Sequence, residues 1–177
     1  MLPPIEYIPD SEVDAALDEQ LRALLSTCFT GPHNERFQRQ RFYSEMPQHR
    51  WLIREPGRVI AHLAMHDKSI GSPAGDLAIG GVSEVSVHPD FRGRGLVKKL
   101  LVAAHAAFAQ RGVPFAFLFG NGDVYRSSGY VQVKNPLRFF DPARNEWCVR
   151  PDGAALVARL GSTPWPDGEI DLRGPIF

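Results

Sequence analysis

The sequence predicts a mixed α/β fold, with a central sheet that is antiparallel in its first half and has a parallel step in its middle. Apolar runs separated by short glycine- and proline-containing turns occupy residues 51–87, which is typical of an antiparallel meander. An amphipathic helix is predicted over 96–110, and the continuous apolar run VPFAFLF follows it. A strand, a helix and a second strand in this order favour a right-handed parallel crossover.

The first half of the chain is expected to form one helix and three strands. Leucines at helical spacing in VDAALDEQLRALLSTCF predict the helix, with Ser11 as its N-cap. Strands are predicted at 51–55, 58–70 and 77–87. Alternation in the third strand places Glu84 on the same face as Val82 and Ser86.

The second half continues from the crossover with shorter elements. A short helix is predicted over 123–128, followed by strands at 130–134 and 137–140. The tail, residues 141–177, is rich in proline, tryptophan and acids, and we expect one short helix in it, near 153–160. One domain over 1–177 is predicted, with its core at about 10–140 and the tail as a C-terminal extension.

Charge and composition exclude several classes of function. Lys plus Arg and Asp plus Glu number 20 each, so bulk charge does not favour a nucleic-acid partner. No apolar run reaches the roughly 18 residues of a membrane helix, and the first ten residues do not resemble a signal peptide. The two cysteines, Cys28 and Cys148, have no metal-ligand spacing and are expected to be buried free thiols, which favours a cytoplasmic location and no metal.

The turn FRGRGLV joins the third strand to the long helix. Its amides from Arg92 to Val97 run without a proline, and Gly93 and Gly95 allow close approach to the backbone. The helix N-terminus and the basic side chains of Arg92 and Arg94 favour an anion, so the turn is a candidate phosphate cradle. The alternative is a basic turn that merely starts a helix. The GxGxxG motif fails here because it needs glycine at the position of Lys98.

The turn and the strand before it carry a family resemblance. The string V-x-V-x-P-x-F-R-G-x-G, followed by an amphipathic helix, resembles motif A of the GNAT acyltransferases. In that family R/Q-x-x-G-x-G/A holds the pyrophosphate of acetyl-CoA. The resemblance therefore implies acetyl-CoA as co-substrate. The residues expected to bind it are Arg92, Gly93, Arg94, Gly95, Leu96 and Val97. Val97 replaces the family's Gly or Ala, and either crowds the pyrophosphate or lies on the buried face of the helix.

A second segment, YRSSGY, is similar to the Y-x-x-x-G-[FY] motif of the same family. It implies that Tyr125 begins a short helix and stabilises the departing CoA thiolate. The resemblance covers about residues 10–140 and implies the GNAT fold, with the parallel step at the cofactor cleft. The family also implies that backbone groups of Val85, Ser86 and Val87 pair with the pantetheine arm, and that the Val87 amide polarises the thioester carbonyl.

The general base is assigned from the residues near this strand. Glu84 is the first candidate, taking a proton directly or through water; its alternative is an ordinary strand carboxylate paired with an arginine. His62 and His66 share one strand face and are the second candidates, although we expect both at the surface or the core edge. His88 is expected to belong to the turn.

The tail offers a third set of residues. Asp167, Glu169 and Asp171 either attract a cationic amine or form a solvated loop. The tail also contains three aromatic residues that either line an acceptor pocket or pack the tail against the sheet. They are Trp147, Trp165 and Phe177.

The implied reaction is direct attack of a small-molecule amine on the acetyl thioester, through a tetrahedral intermediate. A narrower similarity, in R-G-x-x-L-V and in the tail PWPDGEIDLRGPIF, is to aminoglycoside 2'-N-acetyltransferases and nodulation acyltransferases. The acid of the aminoglycoside enzymes falls at Ser83, whereas this chain has Glu84. Two alternatives stay open, a transferase with a longer acyl donor and a non-catalytic acyl-CoA-binding module. Because a partner chain often completes acceptor pockets in this fold, a homodimer is also an expectation.

Overall fold

The structure is a computed structural model that describes residues 3–177. It contains three α-helices in this range, α1 (Ala15–Cys28), α2 (Leu96–Gln110) and α3 (Gly122–Tyr125). Ten strands are described. They are β1 (Glu6–Pro9), β2 (His49–Glu55), β3 (Arg58–Ser72), β4 (Gly75–Val87), β5 (Phe115–Phe119), β6 (Val131–Gln132), β7 (Leu137–Asp141), β8 (Glu146–Arg150), β9 (Ala155–Arg159) and β10 (Ile170–Pro175).

The chain forms two compact units, and β3, β4 and α2 contribute residues to both. The first unit runs to His66 and includes Val82–Ala104, and the second contains Asp67–Gly81 and His105–Phe177. The prediction of one domain over 1–177 stays a prediction.

In the first unit, α1 packs on the antiparallel strands β1, β2 and β3. Its apolar core contains Leu17, Leu21, Leu24, Leu52 and Val59. The prediction of Ser11 as N-cap is wrong. Residues 10–12 form a 3-10 turn, so α1 begins later, and the carboxylate of Asp14 accepts a hydrogen bond from the Leu17 amide at 2.8 Å.

The second unit contains both antiparallel and parallel strand pairs. β9 lies between β5 and β6 and is antiparallel to each. β10 runs parallel to β7 and antiparallel to β3, and β8 pairs with the other edge of β7. The predicted mixed α/β fold is therefore confirmed.

The tail differs from its sequence prediction. The helix expected near 153–160 is strand β9, because its apolar residues are buried on pairing with β5. Trp165 contacts the rings of Phe115 and Phe117, and Phe177 contacts Phe117, so these two aromatics hold the tail to the sheet. Trp147 is 48% exposed and packs on Arg138 at the β7–β8 pair.

Two further sequence predictions concern bulk properties. Cys28 and Cys148 are free thiols, as expected, although both are half-buried rather than buried. Within residues 3–177, no helix is both long enough and apolar enough to cross a membrane.

Candidate active site

The backbone of β4 departs from regular strand geometry at Glu84. Its φ angle is 48°, in the left-handed region that residues other than glycine rarely adopt. Such a conformation costs about 1–3 kcal/mol and persists only where the surroundings hold it. The regular alternation that placed Glu84 with Val82 and Ser86 therefore does not continue through this residue.

The carboxylate of Glu84 is buried and has two direct partners. One oxygen, Oε1, accepts a hydrogen bond from the Tyr43 amide at 2.9 Å, and Oε2 accepts one from the Ser83 hydroxyl at 2.9 Å. The Ser83 hydroxyl also lies 2.9 Å from Nε2 of His66. Since Ser83 uses its only hydrogen on Glu84, His66 donates to Ser83 in this arrangement. Glu84 is thus held by an amide and a hydroxyl.

Burial raises the pKa of the Glu84 carboxyl to about 7, even though the charge of Arg50 and the hydrogen bonds from Tyr43 and Ser83 oppose this rise. A carboxylate with a pKa near the working pH is suited to proton transfer, because both its charged and neutral forms are populated. Among the described residues no arginine is hydrogen-bonded to this carboxylate, because Arg50, whose charge acts on it, is bonded to Asp10.

Arg50 is fully buried and organises the groups behind Glu84. Its Nε donates to Asp10 Oδ1 at 2.5 Å, and its Nη2 donates to the Arg41 carbonyl oxygen at 3.1 Å. Burial alone would raise the pKa of Asp10, but Arg41 and Arg50 together hold it below its usual value. The third contact of Arg50 is with His62, whose Nε2 lies 3.0 Å from Nη1.

The expectation that His62 and His66 lie at the surface or core edge is wrong, because both are buried. Residues 59–66 of β3 are all buried, so in this part of the strand the two faces that alternation distinguished are equally closed to solvent. Burial, together with the charge of Arg50, lowers the pKa of His62 well below its usual value. His62 is therefore neutral, and its Nδ1 lies 3.1 Å from the carbonyl oxygen of Glu84.

The glycine-arginine turn leads from β4 into α2. Gly93 and Gly95 have φ angles of 74° and 70°, and no atom lies within 4 Å of a Cβ built on either one. The Arg92 amide bonds to the Pro89 carbonyl at 3.3 Å, so the expectation of six available amides is reduced to five. In the part of the chain described, no acceptor bonds to the amides of residues 93–97.

Basic side chains and the end of β4 complete this turn. Arg92 Nε donates to the Val87 carbonyl at 3.2 Å, which also accepts from Cys28 Sγ at 3.3 Å. His88 accepts from the Asp90 amide, which agrees with its expected place in the turn. Val97 lies in the first turn of α2 with a half-buried side chain, and its effect on a bound pyrophosphate stays a prediction.

The strand before the turn contains an unsatisfied hydroxyl. Ser86 Oγ is buried and, among residues 3–177, is the one buried side-chain oxygen or nitrogen without a hydrogen-bond partner. An unpaired buried hydroxyl costs about 1–3 kcal/mol, so Ser86 is a locally unfavourable feature of β4.

Tyr125 lies in the second unit. It is the last residue of α3 rather than its first, which corrects the sequence prediction. Its half-buried ring packs edge-to-face on Tyr130, with 5.8 Å between ring centroids, and burial raises the pKa of its phenol to about 12. Gly120 lies beside this ring, where a Cβ would come within 2.8 Å of Cε2.

His105 is a member of this aromatic group that sequence reasoning missed. Its Nε2 lies 2.9 Å from the Tyr130 hydroxyl, and burial lowers its pKa to about 4. His105 falls in the middle of the α2 pattern, which gives no signal of a polar contact 25 residues away. The only available signal was Tyr130, the last position of the YRSSGY motif.

The tail acids lie in different environments. Asp171 accepts from Arg138 Nη1 at 2.7 Å and from the Arg173 amide at 2.9 Å, whereas Asp167 and Glu169 are exposed. No group of three or more metal-ligating side chains is found between residues 3 and 177.

Comparison with known proteins identifies a family that matches this chain. The profile of the family described as "Acetyltransferase (GNAT) domain" matches residues 9–133. None of the curated proteins matches the chain.

Solved structures share the fold at low sequence identity. The GNAT-family N-acetyltransferase YhbS from Escherichia coli, solved in complex with CoA, is 18% identical with a TM-score of 0.70, over 97% of this chain and 89% of YhbS. A GNAT-family acetyltransferase from Brucella melitensis, solved in complex with acetyl-CoA, is 15% identical with a TM-score of 0.61, over 94% of each chain. An acyl-CoA N-acyltransferase from Pseudomonas aeruginosa is 14% identical with a TM-score of 0.60, over 88% of this chain and 98% of its own.

The family match covers well over half of the chain, including β4, the glycine-arginine turn, α2 and Tyr125. The chain therefore belongs to the GNAT acetyltransferase family.

Proposed function

We propose that this protein transfers an acetyl group from acetyl-CoA to the amine of a small-molecule acceptor. The observation that carries the proposal is the buried Glu84 carboxylate, with a pKa of about 7, on the strand that leads into the turn with five unbonded amides. A base and an anion site on one strand–turn segment match the needs of amine acylation by a phosphorylated donor.

In the proposed reaction, the amine nitrogen forms a bond to the acetyl carbon and gives a tetrahedral intermediate. The carbon–sulfur bond breaks when this intermediate collapses. The ionised Glu84 carboxylate accepts the proton that the amine releases, directly or through a water molecule. The Val87 amide is the proposed donor to the thioester oxygen as negative charge develops on it. The electron pair of the broken bond leaves with the CoA sulfur as a thiolate.

The donor fits the residues at the turn. We propose that the amides of Gly93, Arg94, Gly95, Leu96 and Val97, with the side chain of Arg92, hold the pyrophosphate. The open backbone at Gly93 and Gly95 supports this. Backbone groups of Val85, Ser86 and Val87 would pair with the pantetheine arm, as an added strand does. The CoA and acetyl-CoA complexes of the Escherichia coli and Brucella melitensis proteins support the same donor.

Tyr125 is proposed to stabilise the departing thiolate by a hydrogen bond. Since burial raises the pKa of its phenol to about 12, full proton transfer to a thiolate of ordinary pKa is uphill by several kcal/mol. A hydrogen bond from the intact phenol requires no such transfer, and it favours the charged sulfur over the neutral thioester.

The acceptor and the acyl chain are proposed more broadly. An aminoglycoside-like amine and a longer acyl chain are suggested by the weak motif similarities to aminoglycoside 2'-N-acetyltransferases and nodulation acyltransferases. The similar solved structures do not specifically support either of these two enzyme groups. An amine panel that includes aminoglycosides, assayed with acetyl-CoA and with longer acyl-CoA donors, compares these options directly.

Release of free CoA thiol with such a panel tests the function. We expect Glu84→Gln to lower kcat/KM by about 10²- to 10⁴-fold, the usual contribution of a general base, with acetyl-CoA affinity unchanged. Tyr125→Phe should lower kcat far more than it weakens acetyl-CoA binding. Binding without turnover on any amine would instead identify a non-catalytic acyl-CoA module, and no binding of any acyl-CoA would overturn the proposal.

A further inference from the structure

The backbone at Glu84 needs a restraint because its left-handed conformation is unfavourable for a residue with a side chain. Two groups from other segments of the chain restrain it, in addition to the adjacent Ser83 hydroxyl. The Tyr43 amide binds the carboxylate, and the His62 ring lies 3.1 Å from the main-chain carbonyl oxygen. The second contact acts on the backbone itself.

The direction of the His62 hydrogen bonds follows from the chemistry of arginine. A guanidinium has five donors and no acceptor, so Nε2 of His62 must accept from Nη1 of Arg50. A neutral imidazole then carries its hydrogen on Nδ1, which donates to the Glu84 carbonyl oxygen. Arg50 thus fixes the tautomer of His62 that the Glu84 backbone requires.

Arg50 is itself fixed on three sides. Asp10 binds its Nε, the Arg41 carbonyl binds its Nη2, and His62 binds its Nη1. Both Arg50 and His62 are 0% exposed, so solvent does not compete for these bonds. The result is a continuous hydrogen-bonded chain from the Asp10 carboxylate to the main chain of Glu84.

We infer that Arg50 and His62 are positioning residues for Glu84. His62 holds the left-handed backbone through the carbonyl oxygen, and Arg50 both sets the His62 tautomer and supplies a buried positive charge that favours the ionised carboxylate. The catalytic part of this inference rests on the proposed role of Glu84 as base, whereas the tautomer and the charge effect do not.

The groups around Glu84 define what its titration should show. Asp10 comes from the turn before α1, Arg41 and Tyr43 from the segment before β2, and Arg50 from β2. The remaining polar neighbours, on β3 and β4, are His62, His66 and Ser83. Of these, Arg50 acts on the carboxyl as a cation, and Asp10 opposes it as an anion.

Paired substitutions separate positioning from general stability. His62→Leu removes both hydrogen bonds, whereas His62→Gln keeps one acceptor and one donor. We expect His62→Leu to lower kcat about tenfold, roughly the effect of losing one well-aligned hydrogen bond. The KM for acetyl-CoA should change little. His62→Gln should recover most of the lost kcat. Equal activity of the Leu variant and the wild type would overturn the role of His62.

The pH profile tests the role of Arg50. Arg50→Met removes the cation that favours ionisation, so the acid limb of kcat/KM should move to higher pH by about one unit. Arg50→Lys keeps the charge, so the acid limb of its pH profile of kcat/KM should stay near that of the wild type. A Met variant with an unshifted limb would overturn the charge effect.

A measurement on the wild-type protein needs neither turnover nor a variant. ¹⁵N NMR of the histidine side chains should show His62 as the neutral Nδ1–H tautomer, without titration, from pH 5 to pH 9. An Nε2–H tautomer, or titration near the usual pKa of histidine, would overturn the inference. If the wild type acetylates no amine, the proposed function fails and the catalytic part of the inference fails with it. This spectrum still decides the His62 tautomer, and ¹³C titration of the Glu84 carboxyl in the wild type and in Arg50→Met decides the charge effect.

Discussion

At the scale of single residues, Glu84 makes the stability of the fold depend on pH. Its carboxyl pKa is raised from 4.5 to about 7, so between these values the folded chain keeps a proton that the unfolded chain has released. The stability that this group contributes is therefore fully present below about pH 4.5 and is lost as the pH rises toward 7 and above.

Glu84→Gln tests this linkage, since glutamine has no proton to lose. Relative to the wild type, the variant should gain about 2–3 kcal/mol in free energy of unfolding between pH 4.5 and pH 8. Urea denaturation at several pH values measures the difference. Glu169→Gln, at an exposed tail carboxylate, is the control and should show no comparable trend. A pH-independent difference for the Glu84 variant would contradict the prediction.

Gly120 sets the position of the Tyr125 ring. A Cβ at Gly120 would lie 2.8 Å from Cε2 of Tyr125 and 3.2 Å from Leu118 Cδ1, so alanine requires the phenol ring to shift. We expect Gly120→Ala to lower kcat about tenfold or more, since small displacements of a reacting group are costly. Acetyl-CoA affinity should change little.

Gly122→Ala is the matched control for this change, because its Cβ would meet only Leu156 Cδ2, at an ordinary 3.9 Å. Steady-state kinetics of the two variants give the comparison. A Gly120→Ala enzyme as active as Gly122→Ala would show that the ring position does not matter for turnover.

Sequence reasoning named candidate residues from local motifs and strand faces, His62 among them, but it did not foresee the contacts that join distant residues. Glu84, Tyr125 and the turn lie in continuous segments whose spacing is readable. Arg50 and His62 occur within apolar strand patterns, and nothing local indicates that an arginine from β2 meets a histidine from β3 and an aspartate 40 residues earlier. Their roles arise only when the strands pair.

At the scale of elements, the glycine-arginine turn depends on two left-handed residues. An alanine in this conformation costs about 1–2 kcal/mol, so Gly93→Ala or Gly95→Ala either strains the turn or changes its path. Both outcomes redirect the amides of residues 93–97. We expect each variant to bind acetyl-CoA at least tenfold more weakly and to lose about 1 kcal/mol of stability.

Gly57→Ala provides the control for the turn variants. Gly57 has a φ angle of 79° in the turn between β2 and β3, and no atom lies within 4 Å of its Cβ position. It should lose similar stability and keep the acetyl-CoA affinity of the wild type. Calorimetric titration measures the acetyl-CoA affinity of each variant, and urea denaturation measures its stability. An equal loss of affinity in Gly57→Ala would remove the specific role of the turn.

The elements that the sequence predicted well are those with a strong period and clear boundaries. β2, β3, β4 and α2 lie where apolar spacing and flanking turn residues placed them. β9 was expected to be a helix because a short apolar stretch fits either state, and pairing with β5 and β6 decided the outcome. β8 and β10 were missed because they are stabilised by pairing with strands distant in sequence or weakly patterned, β8 with β7 and β10 with β7 and β3.

At the scale of the whole molecule, zero net charge means that any attraction for an anionic donor is local. Four basic residues lie within or just after the turn, namely Arg92, Arg94, Lys98 and Lys99. Their field is screened over about 10 Å at 0.1 M salt. Acetyl-CoA affinity should therefore fall as salt increases, although the protein as a whole carries no excess charge.

Ligand binding should appear as stabilisation of the entire fold. A donor at 100 times its Kd stabilises the folded state by about 2.7 kcal/mol, which for a chain of this length raises Tm by about 5–10 °C. We expect this rise with acetyl-CoA for the wild type and for Glu84→Gln, because Glu84 acts in chemistry and not in donor binding. Gly95→Ala, with an affinity at least tenfold weaker, should show about half of this rise or less at the same concentration, since its turn no longer presents the five amides. Thermal unfolding with and without acetyl-CoA measures all three proteins, and an equal rise in Gly95→Ala would place the donor elsewhere.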